Sequence, residues 1–502
     1  MKRFLPFIFL CTSLFFMLPV DTRAQKNDGA VIPGDFADPS IIKEGNTYYA
    51  VGTSSEWAPH FPVYRSTDLK HWKQSGYIFD KAPEWTMGSF WAPEYYKIGD
   101  TFYLYYTARR KSDSVSYIGV ATSKYPDRGF TDHGVLVEYG SEAIDAFITN
   151  DKGQLYISFK AYGLDKRPIE ILGSKLSADG LKLEGEPFSM LRDDEGQGME
   201  GQSIIKRDGY YYLFYSAGGC CGAQCSYNVR VARSKAFTGP YEKYTKNPLL
   251  FDNPQWTCMG HGTFVPLNGN SYAYLHHAYN RQSTVFTGRQ GLISQLNWPV
   301  KGGWPVFAAQ SVKGEALTDI RDDFRGGTPD MSWQWDFHHA KPNVKQANGV
   351  LHLSGDTIGN NPSGIVLTRR PMSGNFSMST TVVNKNKALK GLSFYGDAGA
   401  AIGVGVRGDS VLAWQVKDGQ FRVLSSAMLT GANPVELKLV ADAGKGCRVY
   451  YRQDKNAWKE AGNGQPLATE HLPQWDRSPR AGLHISGAAV EEAEFRGFEM
   501  VN

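Results

Sequence analysis

Asp208-Gly209-Tyr210-Tyr211-Tyr212-Leu213-Phe214-Tyr215 is a polar turn running straight into an aromatic strand, and the pattern occurs five times in about the first three hundred residues. The other copies are Gly45-Asn46-Thr47-Tyr48-Tyr49-Ala50-Val51, Gly99-Asp100-Thr101-Phe102-Tyr103-Leu104-Tyr105-Tyr106, Gly153-Gln154-Leu155-Tyr156-Ile157-Ser158-Phe159 and Gly269-Asn270-Ser271-Tyr272-Ala273-Tyr274-Leu275. A spacing of roughly 50 to 60 residues is that of a four-stranded propeller blade with generous loops. Five copies predict a five-bladed β-propeller over residues 25–310, each run being the second strand of its blade, entered by a hairpin turn.

Upstream of each run lies a shorter segment, the expected innermost strand of that blade. In order these are Asp38-Pro39-Ser40-Ile41-Ile42, Trp91-Ala92-Pro93-Glu94-Tyr95-Tyr96, Asp145-Ala146-Phe147-Ile148, Glu200-Gly201-Gln202-Ser203-Ile204-Ile205 and His261-Gly262-Thr263-Phe264-Val265. One acid at a strand start is ordinary turn chemistry. Asp38, Asp145, Glu200 and His261 all lie a similar distance ahead of their runs, so a propeller would gather them on one axis. Glycosidic hydrolysis needs a carboxylic acid to protonate the leaving oxygen and a carboxylate to activate water or attack the sugar. Asp38 and Glu200, on the first and fourth blades, can supply that pair; a gap of ~6.5–9.5 Å between them would give inversion. Asp145, as a third carboxylate, is expected to raise a neighbouring Glu by like-charge repulsion, which makes Glu200 the acid.

Phe36-Ala37-Asp38-Pro39-Ser40, Phe90-Trp91-Ala92-Pro93-Glu94, Ile144-Asp145-Ala146-Phe147, Met199-Glu200-Gly201-Gln202 and Gly260-His261-Gly262-Thr263 together resemble glycoside hydrolase family 43, from about Pro33 to Pro305. The resemblance implies that Asp38 is the general base, that Asp145 tunes and orients the acid, and that Glu200 is the acid of an inverting enzyme. It also implies that His261 faces a hub water or a calcium ion bound largely through water, and that Arg289 contacts the sugar in the end subsite. The reaction itself needs no cofactor. Phe36 and Trp91 flank hub positions and are candidate walls of the sugar pocket, although core packing explains such aromatics equally well. Pentose substrates follow from the resemblance, α-L-arabinofuranosides first and β-xylosides second, with arabinan backbones and galactan as alternatives.

After Trp304-Pro305 the aromatic repeat stops. Short runs at 350–353, 376–383, 401–406, 435–439, 448–451 and 482–485, separated by Gly, Asn and Asp turns, predict a β-sandwich over residues 320–502. Asp322-Asp323-Phe324 and Trp333-Gln334-Trp335 resemble the concanavalin A-like sandwich attached to some members of the same family. The whole chain is thus expected to be all-β.

Lys2 and Arg3, an apolar run from Phe4 to about Val20 and Thr22-Arg23-Ala24 read as a cleavable secretory signal over residues 1–24, too short to span a membrane. Five cysteines remain, Cys220, Cys221, Cys225, Cys258 and Cys447; an odd number leaves at least one outside any intrachain disulfide, and zinc-type pairing is missing. A local disulfide, reaching Cys258, is the expectation. A net charge of +4 on 502 residues, with no basic block interleaved with aromatics, excludes nucleic acid as the natural partner. An aromatic share of 13% suits an oligo- or polysaccharide partner, since sugar rings stack on such side chains. A non-catalytic sugar-binding propeller would be favoured had any of Asp38, Asp145 or Glu200 been replaced by a neutral residue, and a transferase would use one of the acids as nucleophile.

Overall fold

The computed structural model describes residues 29–162, 168–308, 312–384, 386–431 and 433–502, so the segment read as a secretory signal lies outside the described residues. Five four-stranded antiparallel sheets form first, each strand paired with the next strand of its own sheet, the short strand Trp57–Ala58 of the first blade standing outside that order. The innermost strands begin at Ser40, Thr86, Glu142, Met199 and Trp256, and each aromatic run is the second strand of its blade. Among the described residues the single helical element is the short 3-10 turn Thr284–Phe286.

The unbroken aromatic runs follow from stacking. A blade interior has neighbours on both faces, so the second strand Thr101–Arg110 is buried almost throughout rather than on alternate residues. Phe61, Phe90, Leu104 and Tyr106 fill the space between blades 1 and 2, and Tyr105, Ile118, Ile157 and Phe159 that between blades 2 and 3. Tyr212, Phe214, Tyr274 and Leu296 join blades 4 and 5, while Ile41, Ala50, Leu275 and Ile293 close the ring from blade 5 to blade 1. The chain ahead of blade 1 helps to fasten that joint, because Val31 and Ile32 donate to the carbonyl of Gly291 in blade 5.

The C-terminal part packs two sheets face to face, one of eight strands and one of six. In the strand Val435–Asp442, Val435, Leu437, Leu439 and Ala441 point into the core and the residues between them do not, the alternation expected of a sheet with one buried face. The sandwich is seated on the propeller. Trp57 of blade 1 is 1% exposed among Val366, Leu389, Tyr395, Leu412, Trp414 and Val416 of the sandwich. Its short strand Trp57–Ala58 pairs with Trp335–Asp336. Arg370 adds bonds to the carbonyl of Asp35 (2.8 Å) and to Tyr64 Oη (2.7 Å).

Candidate active site

At the hub, four of the innermost strands bulge at the same place. Pairing with the second strand slips after Trp91, Ile144, Glu200 and Gly260. The next residue in each case has a left-handed backbone: Ala92 (φ 45°), Asp145 (60°), Gly201 (58°) and His261 (39°), and Asp38 (48°) takes the same conformation at the entry to blade 1. Four of these five residues are not glycine, and each costs about 1 kcal/mol or more in that region. Strain repeated around one axis marks a place where side-chain direction matters more than stability.

The bulges are tied into a ring by hydrogen bonds from blade to blade. The N–H of Ala92 donates to Thr53 Oγ1 (2.9 Å), that of Asp145 to Thr107 Oγ1 (3.2 Å), that of His261 to Ser216 Oγ (2.8 Å) and that of Asp38 to His277 Nδ1 (3.0 Å). Each acceptor stands at the outgoing end of the second strand of the preceding blade. The fifth such position is Lys160, opposite Ile144, and an ammonium has no lone pair to offer. Gly201 N–H turns instead to Asp145 Oδ2 (2.9 Å), and Lys160 Nζ lies 2.5 Å from Glu200 Oε2.

This geometry corrects the expected register. Gly201, not Glu200, occupies the place that Asp38, Asp145 and His261 hold in their blades; Glu200 stands one residue earlier. Glycine is required there, since a Cβ on Gly201 would lie 2.7 Å from His261 Cγ.

The three acids have different surroundings. Asp38 Oδ1 is 3.0 Å from Arg289 Nη1, and Oδ2 accepts from Thr53 Oγ1 (2.7 Å). Burial works against its charge, but the Arg289 guanidinium outweighs it and holds the carboxyl well below the usual carboxylate range. Burial lifts Asp145 to about 6; His261 opposes the rise and the charge of Glu200 adds to it. Burial alone would lift Glu200 too, yet Lys160 and a hydrogen bond from Tyr227 Oη (2.8 Å) bring it below its ordinary value. The repulsion expected to protonate Glu200 therefore falls on Asp145, because the adjacent cation stabilises the glutamate charge. Glu94, the acid of blade 2, does not reach the pocket; it is buried, bonded by Ser40 Oγ (2.6 Å) and lifted to about 8.

A cavity of 320 Å3 opens over these groups, lined by Asp38, Asp145, Glu200, His261, Arg289, Lys160 and Trp91. Phe36 is not part of it. That ring is fully buried and packs edge-on against Tyr64 at 5.2 Å, with Gly52 close enough to its face that a Cβ there would sit 2.8 Å from Phe36 Cε2. Arg289 is likewise buried, spanning Asp38 and the carbonyl of Asp476 (2.8 Å). His261 Nδ1 lies 3.5 Å from Asp38 Oδ1 and 3.8 Å from Asp145 Oδ2. The hub does not fit calcium held directly by side chains: that ion takes about six to eight oxygens, whereas His261 offers nitrogen and the carboxylates beside it are engaged by Arg289 and Lys160. Gln202 Oε1 is the kind of acceptor such an ion would use, buried and without a partner, but one oxygen is not a shell.

Residues 28–305 match the family model described as Glycosyl hydrolases family 43, and residues 321–489 match the Beta xylosidase C-terminal Concanavalin A-like domain. The chain belongs to glycosyl hydrolase family 43. It is 30% identical over 311 residues, 54% of this chain and 86% of the relative, to the extracellular exo-alpha-(1->5)-L-arabinofuranosidase ArbA of Cellvibrio japonicus. It is 24% identical over 310 residues, 55% of this chain and 56% of the relative, to xylan 1,3-beta-xylosidase of a Vibrio species. The solved xylan beta-1,4-xylosidase of Bacillus halodurans C-125 superposes with a TM-score of 0.79 at 21% identity, covering 94% of this chain and 99% of that one, which speaks for the fold.

In this family 43 hydrolase the pocket is completed by parts that no hub motif announces. Trp475 and Asp476 come from the sandwich; Trp91 Nε1 donates to Asp476 Oδ2 (3.2 Å), and the rings of Trp91 and Trp475 meet edge to face at 5.8 Å. Cys220 and Cys221, joined to each other, line another part of the wall, while Cys225 is joined to Cys258 and Cys447 is free and buried in the sandwich. Tyr227 ends the same cysteine loop and packs where a Cβ on Gly260 would meet it at 2.3 Å. Lys160 had a sequence signal: aligning the ends of the second strands puts it level with Thr107 and Ser216, where a cation is out of pattern.

Proposed function

We propose that the protein is an inverting pentosidase that removes terminal or side-chain pentoses from plant-type polysaccharides, with α-L-arabinofuranosides preferred and β-xylosides second. The observation that carries this reading is the division of labour at the hub. Asp38 is locked as a carboxylate by Arg289 and so suits the abstraction of a proton from water, while the Glu200 carboxyl faces the same cavity and is held by side-chain partners, Lys160 and Tyr227, that can part from it when it takes up and delivers a proton. Water attacks the anomeric carbon as Asp38 takes its proton; the glycosidic bond breaks as Glu200 gives its proton to the departing oxygen. Arg289 and His261 fix the base, and Asp145 fixes the Gly201 backbone next to the acid.

A cavity of 320 Å3 is at the small end of the ~300–1,000 Å3 typical of ligand sites. With Trp91 and Trp475 narrowing its mouth it suits one terminal sugar better than an internal stretch of polymer, in keeping with the exo action in the printed name of the Cellvibrio relative. Export accords with this reading, since that relative is named extracellular and the first residues here carry a basic start followed by an apolar run.

The test is release of p-nitrophenol from the α-L-arabinofuranoside and the β-D-xyloside by wild type and by Glu200→Gln, with the first-formed anomer followed by NMR on a natural oligosaccharide. Turnover that falls at least ~100-fold in the variant is expected, with inversion at the anomeric carbon. Retention would refute the assignment of Asp38 as base, and undiminished turnover in Glu200→Gln would refute that of the acid.

A further inference from the structure

The ring of hub hydrogen bonds has one exceptional member. Where Thr53, Thr107, Ser216 and His277 each accept a backbone N–H from the next blade, Lys160 accepts none and places its ammonium on the acid. The side chain is largely enclosed, 12% exposed against 17% for Glu200, so the pair is shielded from solvent competition. Glu200 is faced by Lys160 from the second strand of blade 3, Asp145 from the first strand of that blade, Tyr227 from the cysteine loop and His261 from blade 5. Lys160 is also faced by Glu142, which lines the same cavity. An acid catalyst held as a carboxylate against a cation cannot protonate anything, so something must release it.

We infer that Lys160 is a positioning residue that keeps Glu200 ionised while the pocket is empty, and that a sugar occupying the pocket draws the ammonium onto its own hydroxyl oxygens and frees the acid. The inference rests on the reading of Glu200 as general acid. With Lys160 on Glu200 the acid is a carboxylate; once the ammonium has moved, Glu200 takes up a proton from solvent and passes it to the glycosidic oxygen. The cycle leaves Asp38 with a proton taken from water, which it returns to solvent, and Glu200 draws each proton it delivers from solvent, so no co-reactant is needed. Such coupling would confine proton delivery to a filled site.

The experiment is the pH dependence of kcat/KM, which reports the free enzyme, and of kcat, which reports the sugar complex. Wild type is compared with Lys160→Ser, which supplies the acceptor found elsewhere in the ring, with neutral Lys160→Gln in case serine loosens the strand, and with Lys160→Arg. In wild type the fall of kcat on the alkaline side is expected at higher pH than the fall of kcat/KM. Removing the cation is expected to move the alkaline fall of kcat/KM upward until it meets that of kcat, and Lys160→Arg is expected to restore the separation. A kcat/KM profile that stays in place or moves to lower pH in both neutral variants, while Glu200→Gln is inactive, overturns the inference and leaves Glu200 as the acid. Full activity in Glu200→Gln overturns both. A purely structural lysine would lower activity without moving the two profiles relative to each other.

Discussion

Trp57→Ala tests whether the sandwich is a working part of the active site. The indole belongs to the propeller chain yet is buried in an apolar cluster of the sandwich, edge-on to Tyr395 at 5.9 Å and under the Arg480 guanidinium at 4.7 Å. Removing ~200 Å2 of aromatic surface from burial at about 25 cal/mol per Å2 gives roughly 5 kcal/mol, and large aromatic truncations in cores cost ~3–5 kcal/mol. Trp57 Nε1 is buried without a partner, so its deletion also removes a desolvation penalty and favours the lower part of that range. A loss of about 3 kcal/mol is expected, somewhat more than a hundredfold in the docking equilibrium. Docking holds Asp476 against Arg289 and Trp91, and it lets Ser478 N–H donate to Asp35 Oδ2 (3.1 Å). Chemical denaturation followed by fluorescence should therefore report the lost stability, and KM should rise while the proton-transfer groups stay intact. A variant within about 1 kcal/mol of wild type, with unchanged KM, would refute the claim that this side chain fastens the sandwich over the pocket.

Trp475 is 60% exposed and lines the pocket, so Trp475→Ala should raise KM roughly tenfold, the equivalent of ~1.4 kcal/mol of lost ring contact. The thermal midpoint should hardly move, and an unaltered KM would show that the sugar does not touch this ring. His60, His276 and His484 are each held down to about 3 by burial, so they stay neutral in the folded chain while the unfolded chain takes up protons below about 6.5. Stability should fall as pH drops through that window, which thermal midpoints at neutral pH and near pH 4.5 would detect; equal midpoints would contradict it.

The propeller was legible because its signal is a composition that few other environments demand. A strand with blades on both faces can be Tyr210-Tyr211-Tyr212-Leu213-Phe214-Tyr215 without alternation, and five such strands at one spacing leave little choice of fold. The hub acids were legible for the same reason, as features of a repeat. Phe36 was misplaced because an aromatic ahead of a strand looks the same whether it walls a pocket or fills a core; Gly52, which makes room for that ring, lies in another strand's exit. In the sandwich, Val435–Asp442 alternates and was read, whereas Leu389–Asp397 is buried on both faces and carries no such period. Trp475 and Asp476 reach the site from a loop more than 380 residues beyond their neighbour Trp91, a distance no local pattern bridges.

Glu200 and Lys160 are the subtler case, because the repeat suggested both a correct answer and a wrong one. Counting from the aromatic run made Glu200 equivalent to Asp38 and Asp145, but the bulges place Gly201 at that point. The difference of one residue has a chemical consequence. A residue in the left-handed position is locked by its own N–H to the preceding blade, as Asp38 and Asp145 are, whereas Glu200 precedes the lock and its carboxyl is held by the side chains of Lys160 and Tyr227. A base that must stay ionised gains from a backbone fixed by strain and an arginine; an acid that must release and regain a proton gains from partners that can let go. The fivefold repeat thus supplies the scaffold, and the two departures from it, a glycine where an acid was expected and a lysine where an acceptor was expected, set the acid apart from the base.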